Sequence, residues 1–228
     1  MFNSDRISLA AVYYVCLIGV LIPALCFRSY LKLQAGAPFP KKPGVYQGTI
    51  FVLSCLFLQA GLIWQSFGLQ VFAYYETNWK DAAIGTAFLA LFLAVIAPRW
   101  KFKSFHERDQ VYRMMPQSPT ELAWWTMVSF CAGVFEEVIY RGVLFGIFMY
   151  WFGSWWVAAL LCALAFALAH AIQGWKNMAI IFFMGLAFQG LVLMTGTLYM
   201  AMAVHTIYDF IAGAVFFYLW EEPVGEPV

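Results

Sequence analysis

The sequence predicts an all-α membrane protein: a polytopic helical bundle of about seven spans, within a range of six to eight. Three observations predict it. The chain is 64% hydrophobic and only 11% charged, where soluble domains run at about 45–50% apolar and 25% charged. Its mean hydropathy is +0.76. Apolar runs close to the ~20 residues that cross hydrocarbon recur along the chain, separated by turn-forming and basic residues. The net charge of +1 gives no support to binding of a polyanion. The five cysteines all sit inside apolar runs without a CxxC pair, so they read as packing residues.

The first run, Ser8 to Phe27, lacks a basic leader and a small-residue cleavage site, so it reads as a retained helix. A loop from Arg28 to Val45 follows, broken by Pro38, Pro40 and Pro43. Tyr46 to Phe72 is the second span. A link with Glu76, Lys80 and Asp81 leads to the third, Ala82 to Ala97, ended by Pro98. Arg99 to Pro119 is the longest polar stretch and interleaves five basic residues with aromatics. Beside membrane helices this pattern reads as a juxtamembrane segment with its rings at headgroup level, and no nucleic acid is expected. The fourth run, Thr120 to Phe152, is too long for one upright span at ~1.5 Å per residue. It must tilt, break or start along the interface, and Gly133 is a candidate break. Gly153 and Ser154 make a tight turn before the fifth span, Trp155 to Ile172. A polar turn over Gln173 to Asn177 leads to the sixth, Met178 to Thr195. Gly196 separates it from the seventh, Leu198 to Trp220.

This gives three parts: N-terminal membrane helices and a basic loop over 1–119, a four-helix core over 120–220, and an acidic tail over 221–228. Placing the N-terminus outside puts the loops at 28–45, 99–119 and 173–177 on the cytoplasmic side. They hold ten of the thirteen Lys and Arg residues. That asymmetry orients the chain in the cell membrane with its C-terminus in the cytoplasm.

The chemistry-bearing residues lie in the core. Between Leu122 and Phe152 the only charges are Glu136, Glu137 and Arg141. A charge at a helix centre costs about 2.5–3.5 kcal/mol on insertion scales, so three within six positions point to a function. Helical positions four apart share a face, so Glu137 and Arg141 can pair. Glu136 is turned about 100° from Glu137, which leaves it free as a general base. An ion-pair staple alone would need only one carboxylate. Phe166 and His170 share a face at the end of the fifth span, and His205 and Asp209 share one in the seventh. Asp209 could orient the His205 imidazole or act as an acceptor of its own. The third histidine, His106, falls in the basic loop and reads as solvated. Glu136 and His170 are each seventeen residues from Gly153, so a hairpin closed there brings them level, ~25 Å from the turn. Counted from Gly196, His205 and Asp209 come out about 6–12 Å shallower. A short or tilted sixth helix, packed closely through Gly185 and Gly190, would remove the mismatch.

Glu-Glu-x-x-x-Arg, then Phe-x-x-x-His, then His-x-x-x-Asp, on successive apolar segments, resembles the CAAX protease and bacteriocin-processing (CPBP, or Abi) family of glutamic-type intramembrane endopeptidases. Thr195-Gly196-Thr197-Leu198 also resembles that family's turn before the last helix. The resemblance covers about Glu121 to Trp220 and leaves the first three spans unmatched. It implies that Glu136 activates water, that His170 helps to hold that water, and that His205 and Asp209 stabilise the oxyanion. In the last role Asp209 must carry a proton or act through His205. Glu137 with Arg141, and Phe166, would be support. The last motif position is often Asn in the eukaryotic enzymes and is Asp209 here. The implied partners are the lipid bilayer and a peptide or protein substrate, such as a C-terminal tail or a peptide precursor, with no cofactor. Two alternatives remain. His170, His205, Glu136 and Asp209 could bind zinc or another divalent ion, although no H-E-x-x-H is present. Or the chain is a non-proteolytic scaffold or immunity protein, which would need none of these residues.

Overall fold

The computed structural model describes residues 4–69, 71, 78–101 and 113–219. Helix α1 (Ser4–Cys16), a π-helical turn π1 (Leu17–Leu21) and α2 (Ile22–Gln34) form one continuous rod. The π turn lies just before Pro23, in the first turn of α2. Proline has no N–H to give to the ladder, and a wider turn accommodates its ring. Next come α3 (Lys42–Phe67) and α4 (Trp79–Lys101). A second rod joins α5 (Pro119–Cys131), a thirteen-residue π-helix π2 (Ala132–Leu144) and α6 (Phe145–Phe152). The chain ends in α7 (Trp155–Ala169), a 3-10 turn (Ala171–Gln173), α8 (Trp175–Thr195) and α9 (Leu198–Leu219).

The described residues therefore form seven helical rods in the order the apolar runs predict, and no strand occurs among them. Five helical segments are long and apolar enough to cross a membrane. Large apolar side chains such as Phe51, Leu58, Leu62, Trp156 and Phe183 are exposed on the outside. Such a surface fits lipid and not water. The protein is an integral multi-pass membrane protein.

Several boundaries differ from the sequence expectation. Arg28 and Lys32 lie on α2, not in a loop, because the polar residues there still follow a helical run. Pro43 starts α3 instead of breaking a loop, since the first turn of a helix has no partner for an N–H. Pro98 lies inside α4 and does not end it. Gly133 does not break the fourth run; the helix passes through it into π2. Gly153 and Gly196 do make turns, with φ of 59° and 68°. Glu76, His106, Lys103, Arg108 and the acidic tail from Glu221 lie outside the described residues.

The core is built around π2. Val138, Ile139, Val143, Leu144 and Ile147 are fully buried and pack with Tyr14 and Ile18 of the first rod and Ala158 of α7. Helices α3, α7 and α9 surround π2. Its entry is fixed at the start of α5, where Ser118 caps the Glu121 N–H and the Glu121 carboxylate accepts from Gln117 N. Lys42 of α3 pairs with Glu121 at 3.4 Å and donates to Met115 O, while Tyr46 donates to Met114 O. These bonds tie α3 to the start of the site-bearing rod.

Candidate active site

The Glu136-Glu137-Arg141 group lies entirely within π2. A π-helix closes each hydrogen bond over five residues, so each residue turns by less than in an α-helix. The offset between Glu136 and Glu137 is only modestly smaller than in an α-helix, and the two carboxylates reach different nitrogens of the His205 ring on α9. Arg141 Nη1 donates to Glu137 Oε1 at 3.1 Å. The same oxygen accepts from His205 Nδ1 at 2.8 Å. Carboxylates only accept, so the Nδ1 proton lies on this bond. The other ring nitrogen of His205 stands 3.9 Å from Glu136 Oε2 and 3.6 Å from Asp209 Oδ2. Glu137, and not Asp209, is thus the carboxylate hydrogen-bonded to His205. Asp209 faces the opposite nitrogen, which places it beside Glu136.

Two glycines seat α9 at this level. A Cβ on Gly133 would collide with the backbone and side chain of Thr206, and one on Gly213 would collide with the Trp125 indole. Without side chains at these points α9 lies directly on π2 and α5, with His205 next to the Gly133 contact. The Trp125 Nε1–H donates to the Asp209 carbonyl at 2.8 Å, fixing the backbone one turn beyond His205. The 6–12 Å depth mismatch is absent. The π-helical rod gains less height per residue than an α-helix, and these two contacts set the register of α9. Gly185 does pack closely, on Ala163 of α7, but Gly190 meets nothing within 4 Å.

His170 ends α7, at φ −100° and ψ 16°. That region of the map is sparsely occupied and is common at functional positions. Helix α7 has 15 residues, about 22 Å, and stops short of a ~30 Å hydrocarbon core. His170 Nδ1 donates to Phe166 O at 2.7 Å, satisfying a carbonyl that the helix end leaves unpaired. Its Nε2 is then the nitrogen left for other partners. The Phe166 ring packs against His170 at 4.6 Å and edge-on to His205 at 6.2 Å. It also covers the Arg141 guanidinium at 4.2 Å.

Phe188 of α8 covers Arg141 from a second side at 5.2 Å and packs on the His205 ring at 5.0 Å. Neither Phe188 nor Trp125 stood out in the sequence, where each is one aromatic among many in an apolar run. Side-chain exposure rises outward from 0% at Glu137 to 7% at His205, 12% at Glu136 and 25% at Asp209. The Glu137–Arg141 pair is thus the dry floor, and the opposite edge of the cluster is open. Among the described residues no three His, Cys, Asp or Glu side chains are grouped in a way that could hold a metal ion.

Residues 118–211 match the family model described as Type II CAAX prenyl endopeptidase Rce1-like. No curated protein and no solved structure matches the chain. The matched segment runs from the Ser118 cap to just past Asp209 and holds every polar residue of the cluster. Over residues 118–211 the chain is therefore similar to the CAAX-protease family of membrane endopeptidases.

Proposed function

We propose that the protein is an intramembrane endopeptidase in which Glu136 activates water for attack on a peptide bond. The observation that carries this reading is the position of His205. One nitrogen is held by buried Glu137 at 2.8 Å, and the other faces Glu136 at 3.9 Å and Asp209 at 3.6 Å. A water between Glu136 and His170 gives its proton to the Glu136 carboxylate while His170 Nε2 accepts its second hydrogen bond. The resulting hydroxide adds to the scissile carbonyl carbon. The carbonyl oxygen becomes an oxyanion, stabilised by His205 Nε2–H and by Asp209 when it carries a proton. Glu136 then returns its proton to the departing amine as the C–N bond breaks. To donate through both nitrogens His205 must be an imidazolium. Together with Arg141 it offsets two of the three carboxylates, and a proton on Asp209 offsets the third.

The substrate that suits this site is a peptide segment arriving from the membrane surface, such as a C-terminal tail or a peptide precursor. The exposed Asp209 edge lies toward the C-terminal half of α9. In the orientation with the C-terminus in the cytoplasm, water and substrate reach the site from that side. The test is Glu136→Gln in the full chain, reconstituted in lipid and assayed for cleavage of membrane-anchored peptides. A positioned general base contributes about 10²–10⁴-fold, so kcat falls by that factor while protein level and melting stay normal. Cleavage that survives the substitution overturns the reading.

A further inference from the structure

Three buried side-chain atoms have no hydrogen-bond partner among the described residues: Glu137 Oε2, Arg141 Nη2 and Gln189 Oε1. Arg141 Nη2 is a donor of a charged group, and Gln189 Oε1 is an acceptor. Gln189 is 2% exposed, in the middle of α8. Leaving such groups unpaired is costly, and most buried polar atoms are paired with protein or with ordered water.

Gly185 connects Arg141 Nη2 with Gln189 Oε1. A Cβ at Gly185 would lie 3.5 Å from Arg141 Nη2, so the guanidinium reaches the surface of α8 at that turn. Gln189 is four residues further on and shares that face. Long side chains in a helix lean back toward the N-terminus and lie over the preceding turn. That lean directs the Gln189 amide toward Gly185, beside which Ala163 of α7 and Arg141 Nη2 also stand.

We propose that a buried water lies beside Gly185, accepting from Arg141 Nη2 and donating to Gln189 Oε1. A site with polar partners of both kinds meets the requirement for ordered internal water, which an apolar void does not. Gln189 is then a positioning residue. Through the water it fixes the guanidinium, which holds Glu137 at 3.1 Å, which in turn holds His205 at 2.8 Å. The water site stands on the geometry alone; its effect on turnover rests on the proteolytic reading given above.

The experiment has two arms, both on the full chain in lipid. The first is an experimental structure of the unmodified protein at a resolution that shows ordered water. A density peak within hydrogen-bond distance of both Arg141 Nη2 and the Gln189 amide is expected. An empty space, or direct contact between the two groups, overturns the proposal. The second arm compares Gln189→Met, which keeps the length and removes the acceptor, with Gln189→Asn, which keeps a neutral amide acceptor. Met lowers kcat about tenfold with KM unchanged, and Asn loses less than Met. Full kcat in the Met variant, or equal losses in both, overturns the positioning role. If the water is present and the unmodified protein cleaves nothing, the site stands and the proteolytic reading fails.

Discussion

Replacing the buried Glu137–Arg141 pair by apolar residues of similar length separates structural from chemical roles. Both side chains are almost wholly buried and 3.1 Å apart. Removing Glu137 leaves Arg141 uncompensated, and removing Arg141 leaves Glu137 held by His205 alone; breaking a buried pair costs about 3–5 kcal/mol. Glu137→Met falls at the lower end, because the stranded guanidinium keeps the Phe166 and Phe188 faces at 4.2 and 5.2 Å. At about 2–4 °C per kcal/mol for a chain of this size, each single variant melts about 6–20 °C lower. The double variant strands no charge. What remains is the His205 Nδ1–H, which loses its 2.8 Å acceptor at about 1–3 kcal/mol. The double variant should therefore melt above both singles. It should still be inactive, because nothing fixes His205 toward Glu136 and Asp209. The assay is intrinsic tryptophan fluorescence melting in detergent alongside peptide cleavage in lipid. A double variant that melts at or below the worse single refutes the pairing. One that regains cleavage refutes the role given to Glu137 in holding His205.

Three further outcomes follow from the geometry. Gly133→Val should lower melting by the equivalent of at least 1–3 kcal/mol and abolish cleavage, since the added carbons meet the Thr206 backbone, which cannot rotate away; a fully active variant would refute the close seating of α9. Trp125→Phe removes one hydrogen bond to Asp209 O, so melting should drop by the equivalent of about 0.5–1.5 kcal/mol with cleavage reduced and not lost. Treatment of metal-free protein with a chelator should leave cleavage unchanged; loss on chelation with recovery on added zinc would favour the metal-dependent alternative built on His170, His205, Glu136 and Asp209.

The rods were legible in the sequence because hydrocarbon demands long apolar runs, and glycines that must adopt positive φ, such as Gly153 and Gly196, mark their turns. The pairing of Glu137 with Arg141 was legible because four-residue spacing persists through the helix. What was not legible was the winding of that helix. Nothing in Ala132–Leu144 distinguishes π from α by composition, and nothing in it tells that its two adjacent carboxylates meet the two nitrogens of one imidazole on another helix. Proline does not mark the helix ends here: Pro98 is tolerated inside α4, and Pro43 opens α3.

The depth of His205 shows why counting residues along separate helices fails. The count assumed that each helix rises 1.5 Å per residue and stands upright from its own turn. Contacts between helices, and not the turns, set the relative height here. Gly133 against Thr206 and Gly213 against Trp125 are two fixed points on α9, roughly two helical turns apart. They leave no freedom for α9 to slide, and His205 and Asp209 fall between them or beside them. A glycine in an apolar run is common enough to carry no signal by itself. Its partner is a residue 73 or 88 positions away, which only the folded bundle brings into contact. The costly charges are tolerated through pairing: Arg141 and His205 both bond Glu137 on the fully buried floor, with the Phe166 and Phe188 rings against the guanidinium, while Asp209 is a quarter exposed. Hydrolysis of a peptide bond inside a membrane requires both conditions: a dry, rigid anchor for the imidazole and an open edge through which water can enter.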